Sequence, residues 1–209
     1  MFTDLSGIQL AFVLVSLLIA MSTHEAMHAF TSHWLGDTTA QEQGRLSLNP
    51  LKHIDLYTTI LLPLVLIMAG LPPIFAARPV PFNPSRVRHD EFGVALVGIA
   101  GPLTNLALAC VSALIFRTIP SLSNSSSDFL VIFTLINVSL FVFNLIPFPP
   151  LDGSRLLYAF APEPLQKVMM SIERFGFASI LIFIFFLYQF VGPTIININE
   201  KLLTLLLGV

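Results

Sequence analysis

His24, Glu25 and His28 form an HExxH motif, HEAMH, and their types and spacing are suited to metal chemistry. In a helix, His24 and His28 lie about one turn apart on the same face, where both can bind one metal ion. Two neutral imidazoles beside a carboxylate are the groups that a zinc hydrolase uses. Glu25 is placed to accept a proton from zinc-activated water. The motif therefore predicts a zinc-dependent hydrolase.

The motif lies inside an apolar segment, residues 8–30, and a helix needs about 20 apolar residues to cross a membrane. Of the 209 residues, 55% are hydrophobic and 11% are charged. Soluble domains carry about 25% charged residues. The formal net charge is −2 and the basic residues are scattered, so no nucleic acid partner is expected. The composition predicts an integral membrane protein.

The apolar segments predict an all-α integral membrane protein with about five to six membrane segments, forming a single domain over residues 1–209. These segments are residues 8–30, 56–75, 92–116, 129–147 and 176–191, with a shorter one at 202–209. Arginines and lysines before and after the second segment place both of its flanks in the cytoplasm. Residues 56–75 are therefore expected to form a re-entrant or hairpin element. Residues 38–48 are expected to form a small irregular or β-hairpin region.

A third ligand must complete the metal site, because catalytic zinc usually has three protein ligands and an open position for water. Five side chains after the motif have suitable donor atoms: His33, Asp37, Glu42, Asp55 and Asp152. His33 does not fit the HExxHxxGxxH spacing. Glu42 remains open as a distant carboxylate ligand, although it lies in a polar loop. Asp152 is better placed, since the predicted topology brings it to the same membrane face as the histidines.

Three motifs in this order resemble the site-2 protease family of intramembrane metalloproteases: HEAMH at 24–28, GPLTN at 101–105 and NLIPFPPLDG at 144–153. The resemblance covers about residues 5–157, and residues 158–209 are accessory membrane segments. It implies one Zn²⁺ per chain, held by His24, His28 and Asp152, with Glu25 as the general base. The PDZ and CBS domains that many members carry are absent from the sequence, so a minimal form of the family is expected.

Two asparagines in these motifs are candidates for contact with a substrate. The amide of Asn144 offers donors and an acceptor, and it is expected to hold the substrate backbone or an oxyanion. Asn105 is expected either to contact substrate or to pack between helices. No cofactor other than the metal is expected.

The predicted function is intramembrane proteolysis, in which a zinc endopeptidase hydrolyses peptide bonds within transmembrane segments. The expected substrate is a membrane protein in the lipid bilayer, with a single span and cut after an earlier cleavage, as is usual in the family that the chain resembles. A bacterial or archaeal cell membrane is expected, with the active site facing the cytoplasmic side. Residues 76–84 or 45–48 are expected to pair with the unwound substrate.

Two alternatives are a membrane zinc transporter and a protease-like protein that binds membrane helices without cutting them. A transporter should carry additional ionisable residues along its apolar helices, because such residues mark ion pathways. The other apolar segments contain almost none.

Overall fold

The fold is described by a computed structural model over residues 6–53, 80–119 and 121–208, which contain helices and turns but no strand. The helices are α1 (Gly7–Trp34), α2 (Thr39–Glu42), α3 (Asp90–Thr118), α4 (Asn124–Asn144), α5 (Gly153–Phe160), α6 (Glu163–Glu173), α7 (Phe177–Ile182) and α8 (Tyr188–Leu207). A π-helical segment, Phe183–Leu187, joins α7 to α8, and short 3₁₀ turns occur at Pro50–Lys52 and Pro84–Arg86.

Four of the described helices, α1, α3, α4 and α8, are long and apolar enough to cross a membrane. The all-α membrane protein predicted from the sequence is therefore confirmed. The last two apolar segments predicted from the sequence, residues 176–191 and 202–209, are not separate helices in the structure. Helix α8 continues through Pro193 and includes the end of the first segment and most of the second. The predicted re-entrant element at 56–75 lies outside the described residues.

Two of the long helices, α1 and α4, begin where a side chain can accept hydrogen bonds from free backbone N–H groups. At the start of α1, Ser6 accepts from the N–H of Gln9, and the Gln9 side chain accepts from the N–H of Ser6. At the start of α4, Ser123 accepts from the N–H of Ser126. These caps fix the ends of apolar helices whose interiors carry no local stop signal.

Helix α3 occupies the centre of the bundle, where it packs against α1, α4, α5 and α8. Its buried face is formed largely by glycine, alanine and small polar residues, among them Gly98, Gly101, Ala109, Ser112 and Ala113. Large apolar side chains point outward instead, such as Leu14, Leu114 and Leu205. In a membrane, where apolar burial gives little drive for association, small residues allow helix backbones to approach closely.

Residues 38–48 were expected to form either an irregular region or a β-hairpin. The structure shows an irregular region, so the β-hairpin alternative is wrong. The short helix α2 begins here, and no residue from 38 to 48 lies in a strand. The buried carboxylate of Asp37 accepts hydrogen bonds from the backbone N–H of Thr39 at 3.1 Å and from its hydroxyl at 2.6 Å. This local bonding favours a helical turn over an extended strand.

A tight turn joins α4 to α5 and presents Asp152 to the bundle. The backbone N–H of Leu151 donates to the carbonyl of Phe148 at 2.9 Å, and Asp152 occupies the N-cap position of α5. Gly153 follows, and a Cβ at that position would collide with the carbonyl of Leu145. The turn therefore requires glycine for lack of space.

Replacing Gly153 with alanine is expected to destabilise the protein by about 1–3 kcal/mol, the usual cost of overpacking a tight site. The added methyl group must displace backbone rather than a flexible side chain. The measurement is thermal unfolding of the purified protein in detergent, followed by circular dichroism. Gly7→Ala is the matched control, because a Cβ at Gly7 meets no atom within 4 Å. Equal unfolding temperatures for the two variants would contradict the prediction.

Candidate metal centre

Three ligating atoms from two distant parts of the chain meet inside the bundle. The Nε2 atoms of His24 and His28 are 3.0 Å apart. The Oδ2 atom of Asp152 lies 2.9 Å from the first and 3.2 Å from the second. Both histidines are buried, each with 6% of its surface exposed. Within the described part of the chain, these residues form the one group of three that has this arrangement.

The tautomer of His24 follows from its partner Asn105. The Nδ2 atom of Asn105 donates to the carbonyl of Ala20 at 3.2 Å, so the Oδ1 atom must face His24. That oxygen lies 2.6 Å from Nδ1 of His24. Because an amide oxygen can only accept, Nδ1 carries the hydrogen and Nε2 presents its lone pair.

His28 is fixed in the same way by a backbone group. Its Nδ1 atom lies 2.6 Å from the carbonyl oxygen of Val97 on α3. A carbonyl oxygen cannot donate, so Nδ1 of His28 is the donor and its Nε2 atom is left with a lone pair. Both rings are therefore held in the form that binds a metal through Nε2.

The cluster needs a positive charge, since two nitrogen lone pairs and a carboxylate oxygen repel one another at these distances. Ligand atoms bound at about 2.0–2.1 Å to a tetrahedral zinc lie about 3.3 Å apart, close to the spacing here. Space is also provided beside the ligands by Gly101. A Cβ at that position would lie 2.5 Å from Nε2 of His28 and 2.6 Å from Nε2 of His24. The donor set and the open space both fit a zinc ion.

The electrostatics of Asp152 favour its ionised form. Burial raises the pKa of the carboxyl. When the imidazoles are protonated on Nε2 as well, the attraction of His28 and hydrogen bonds from both rings outweigh burial and hold that pKa well below its usual range. Asp152 is therefore available as an anionic ligand.

Glu25 is half-buried and points to a different part of the chain from the histidines. Its Oε2 atom accepts a hydrogen bond from the backbone N–H of Val80 at 2.9 Å. Asn83, in the same segment, donates its N–H to the carboxylate of Asp37 at 2.7 Å. Residues 80–83 are therefore held against the end of α1 by two carboxylates.

Arg155 connects this segment to the helix that follows Asp152. Its guanidinium carbon lies 4.4 Å from the centre of the Phe82 ring, in a cation–π contact. A cavity of about 400 Å³ lies beside this contact and not at the ligands themselves, and its lining includes Phe82, Pro149, Ser154 and Arg155. The cavity lies next to the turn that carries Asp152.

The other candidate third ligands lie elsewhere. Glu42 is exposed, and its Oε1 atom accepts from Thr38 at 2.6 Å and pairs with Arg86 at 3.2 Å. Asp37 binds Thr39 and Asn83, as described above. His33 is not part of the cluster. Asp55 lies outside the described residues.

The two predicted substrate-contacting asparagines differ in their surroundings. Asn144 is half-buried, and its Nδ2 atom donates to the carbonyl of Leu140 in its own helix at 3.0 Å. Asn105 is fully buried and holds His24, while its Nδ2 atom donates to Ala20 and, at 2.9 Å, to Asn137. Both of its amide hydrogens are used inside the bundle. This geometry favours the packing role over contact with substrate.

Three groups that hold site residues in place were not predicted from the sequence: the Val97 carbonyl, the Val80 N–H and the side chain of Asn137, which bonds to Asn105. Two of them are backbone groups, which residue types do not indicate. Asn137 did give a signal, since an amide in an apolar membrane helix is costly without a partner.

The structure thus combines membrane-length helices with a buried cluster of side chains that can bind a metal ion. This combination is typical of a membrane-embedded metalloenzyme. Residues 114–187, which contain Asp152, match the model of peptidase family M50. The chain is 35% identical over 190 residues to "Putative zinc metalloprotease YwhC" of Bacillus subtilis, over 87% of this chain and 81% of that protein. It is 28% identical over 190 residues to "Putative zinc metalloprotease Rip2" of Mycobacterium tuberculosis, over 88% of this chain and 68% of that protein. No solved structure matches it.

The chain therefore belongs to peptidase family M50, the site-2 protease family, as the three sequence motifs predicted. It is a zinc metalloprotease of the membrane-associated kind, and the relatives named above are bacterial.

Replacing Gly101 with alanine is expected to weaken zinc binding by ~10–100-fold, the range found when the surroundings of metal ligands are altered. The methyl group would occupy the space next to both Nε2 atoms. The measurement is competition with a chromogenic zinc chelator in detergent. Leu103→Ala is the control, because Leu103 lies on the same helix with 47% of its surface exposed. Wild-type affinity in Gly101→Ala would contradict the placement of the metal.

Proposed function

We propose that the protein is an intramembrane zinc endopeptidase that hydrolyses peptide bonds within transmembrane segments of membrane proteins. The observation that carries this proposal is the convergence of His24, His28 and Asp152, with Glu25 next in the chain to the first of them. His24 lies about 15 Å along the helix axis from Trp34, the last residue of α1, at about 1.5 Å per residue. Such a depth supports chemistry within the membrane thickness.

One zinc ion per chain would be held by His24, His28 and Asp152. When bound, zinc makes water more acidic and polarises a peptide carbonyl. Hydrogen bonds from the two Nδ1 atoms, to Asn105 and Val97, keep the imidazoles in the ligating tautomer. The turn at Gly153 holds Asp152 toward them.

Glu25 acts as the general base in this proposal. Its carboxylate takes a proton from the attacking water and delivers it to the nitrogen of the leaving chain. The hydrogen bond from Val80 orients one oxygen, Oε2, and leaves the other free to contact water. Residues 80–83 thus position the base.

The substrate is proposed to be a single-span membrane protein whose helix unwinds near the cleavage site. A helical peptide bond is protected by its own hydrogen bonds, and glycine or proline lowers the cost of unwinding. The extended residues 80–83 lie against Glu25 and are placed to contact the unwound chain. Asn144 remains the proposed contact for the substrate backbone or the oxyanion.

The active site is proposed to face the cytoplasm of a bacterial cell. The end of α1, the start of α3 and the end of α4 lie at one end of the bundle, because the cluster joins α1 to the turn after α4. Basic side chains gather in the connections at this end: Arg45, Lys52, Arg86, Arg88, Arg155, Lys167 and Arg174. The positive-inside rule places such connections in the cytoplasm.

No observation favours a transporter. Residues 92–116 of α3 and 129–144 of α4 contain no histidine and no charged residue, so these helices offer no further ion-binding steps. A non-cleaving binder would not need a glutamate next in the chain to the first histidine.

Glu25→Gln is expected to keep the zinc content of the wild type and to lower cleavage by ~10²–10⁴-fold, the usual contribution of a general base. The probe is a synthetic single-span peptide with a central Gly-Pro pair, reconstituted with the enzyme in liposomes, and its products are identified by mass spectrometry. A peptide with Leu-Leu at that position should be cut more slowly.

The matched control is Glu42→Gln, since Glu42 is exposed and paired with Arg86 away from the cluster. It should cleave the Gly-Pro peptide as the wild type does. Full activity in Glu25→Gln would refute the role of Glu25. A wild-type enzyme that binds zinc but leaves both peptides intact would support a non-cleaving binder.

Asp152→Ala is expected to remove most bound zinc, because it leaves two imidazoles as the only ligands of the proposed set. Zinc per chain is measured by atomic absorption after removal of free metal. Glu42→Ala should retain about one zinc per chain. The reverse result, with zinc lost in Glu42→Ala and kept in Asp152→Ala, would show that Glu42 is the third ligand.

A further inference from the structure

Asn137 is a fully buried amide in the interior of α4, and it lies in none of the three sequence motifs. An amide within an apolar helix is costly unless its hydrogen bonds are made. One of the hydrogen bonds of its side chain is made with Asn105, which in turn contacts the proposed ligand His24.

The orientation of the Asn137 amide is set by its own helix. Its Nδ2 atom donates to the carbonyl of Phe133 at 2.9 Å. Because a carbonyl cannot donate, the Oδ1 atom of Asn137 must point the other way. It accepts there from Nδ2 of Asn105 at 2.9 Å.

The orientation of the Asn105 amide in turn determines the tautomer of His24. Its two amide hydrogens point to Asn137 and to the carbonyl of Ala20, so only its oxygen remains for His24. A reversed Asn105 amide would present N–H groups to Nδ1 of His24. The ring hydrogen would then move to Nε2 and block the lone pair that a metal requires.

We infer that Asn137 is a positioning residue, which acts through Asn105 to hold His24 in its metal-binding tautomer. The inference rests on the proposed zinc site and adds a residue that touches neither metal nor substrate. Without Asn137, the carbonyl of Ala20 alone opposes reversal of the Asn105 amide. That carbonyl is the weaker of the two acceptors by distance, at 3.2 Å against 2.9 Å.

Three variants test this relay of hydrogen bonds. Asn137→Leu removes the acceptor while keeping a similar volume. Asn137→Asp restores it, since a carboxyl group in its neutral form donates to Phe133 and accepts from Asn105. Thr134→Val is the matched control, because Thr134 is fully buried on the same helix and its hydroxyl lies 2.7 Å from that of Ser112 on α3. This pair joins the same two helices but does not reach His24.

Zinc affinity is measured by chelator competition, and the ligand field by the visible spectrum after cobalt substitution. Asn137→Leu is expected to bind zinc ~10–100-fold more weakly, with an altered cobalt spectrum. Asn137→Asp and Thr134→Val are expected to resemble the wild type in both measurements. Thermal unfolding of the zinc-free proteins separates this effect from a general loss of stability. If Asn137→Leu does not fold, Asn137→Ala is assessed in the same way.

Wild-type zinc affinity in Asn137→Leu would overturn the inference, and so would an equal loss in Thr134→Val. A failure of Asn137→Asp to restore affinity would also overturn it. Absence of zinc from the wild type would instead refute the proposed zinc site, and the relay with it. The two failures are therefore distinguished by the wild-type measurement.

Discussion

The acceptors that face the Nδ1 atoms of His24 and His28 are the constraint on which the rest of the structure depends. A histidine in a membrane helix has no bulk water to satisfy its ring nitrogens, so the protein must supply an acceptor for each donor. One acceptor is an amide oxygen of Asn105 and the other is the carbonyl of Val97, both on α3. Helix α3 must therefore lie close to α1, and its glycines and alanines permit that approach.

The close packing of α1 and α3 explains why so few large side chains occupy the bundle centre. Gly101 leaves room beside the ligands, and Gly98 leaves room for Arg155 and the turn at Asp152. Helix α3 thus contributes small side chains that leave space, and acceptors that hold the two histidines. The proposed ligands and the proposed base come from α1 and from the turn after α4.

Much of the fold and of the site was predictable, because it depends on residue type and order. Apolar length indicated the membrane helices. The HExxH spacing and the third motif indicated His24, His28 and Asp152 as candidate ligands, and the structure brings these three side chains together. The Val97 carbonyl and the Val80 N–H were not predictable, since backbone groups of any residue can serve and only packing selects them. The β-hairpin alternative for residues 38–48 was wrong, because the balance between strand and helical turn there depends on the hydrogen bonds that Asp37 makes with Thr39.

The contact of Arg155 with Phe82 completes a closed ring of interactions around the active site. From Glu25 the ring passes to Val80, along the chain to Phe82, across to Arg155, back to Asp152, and through His24 to Glu25 again. Glu25 and Asp152, the proposed proton acceptor and third ligand, are far apart in sequence, yet contacts join them in both directions around this ring. In the proposed mechanism, this ring therefore couples the position of the proton acceptor to the position of the third ligand.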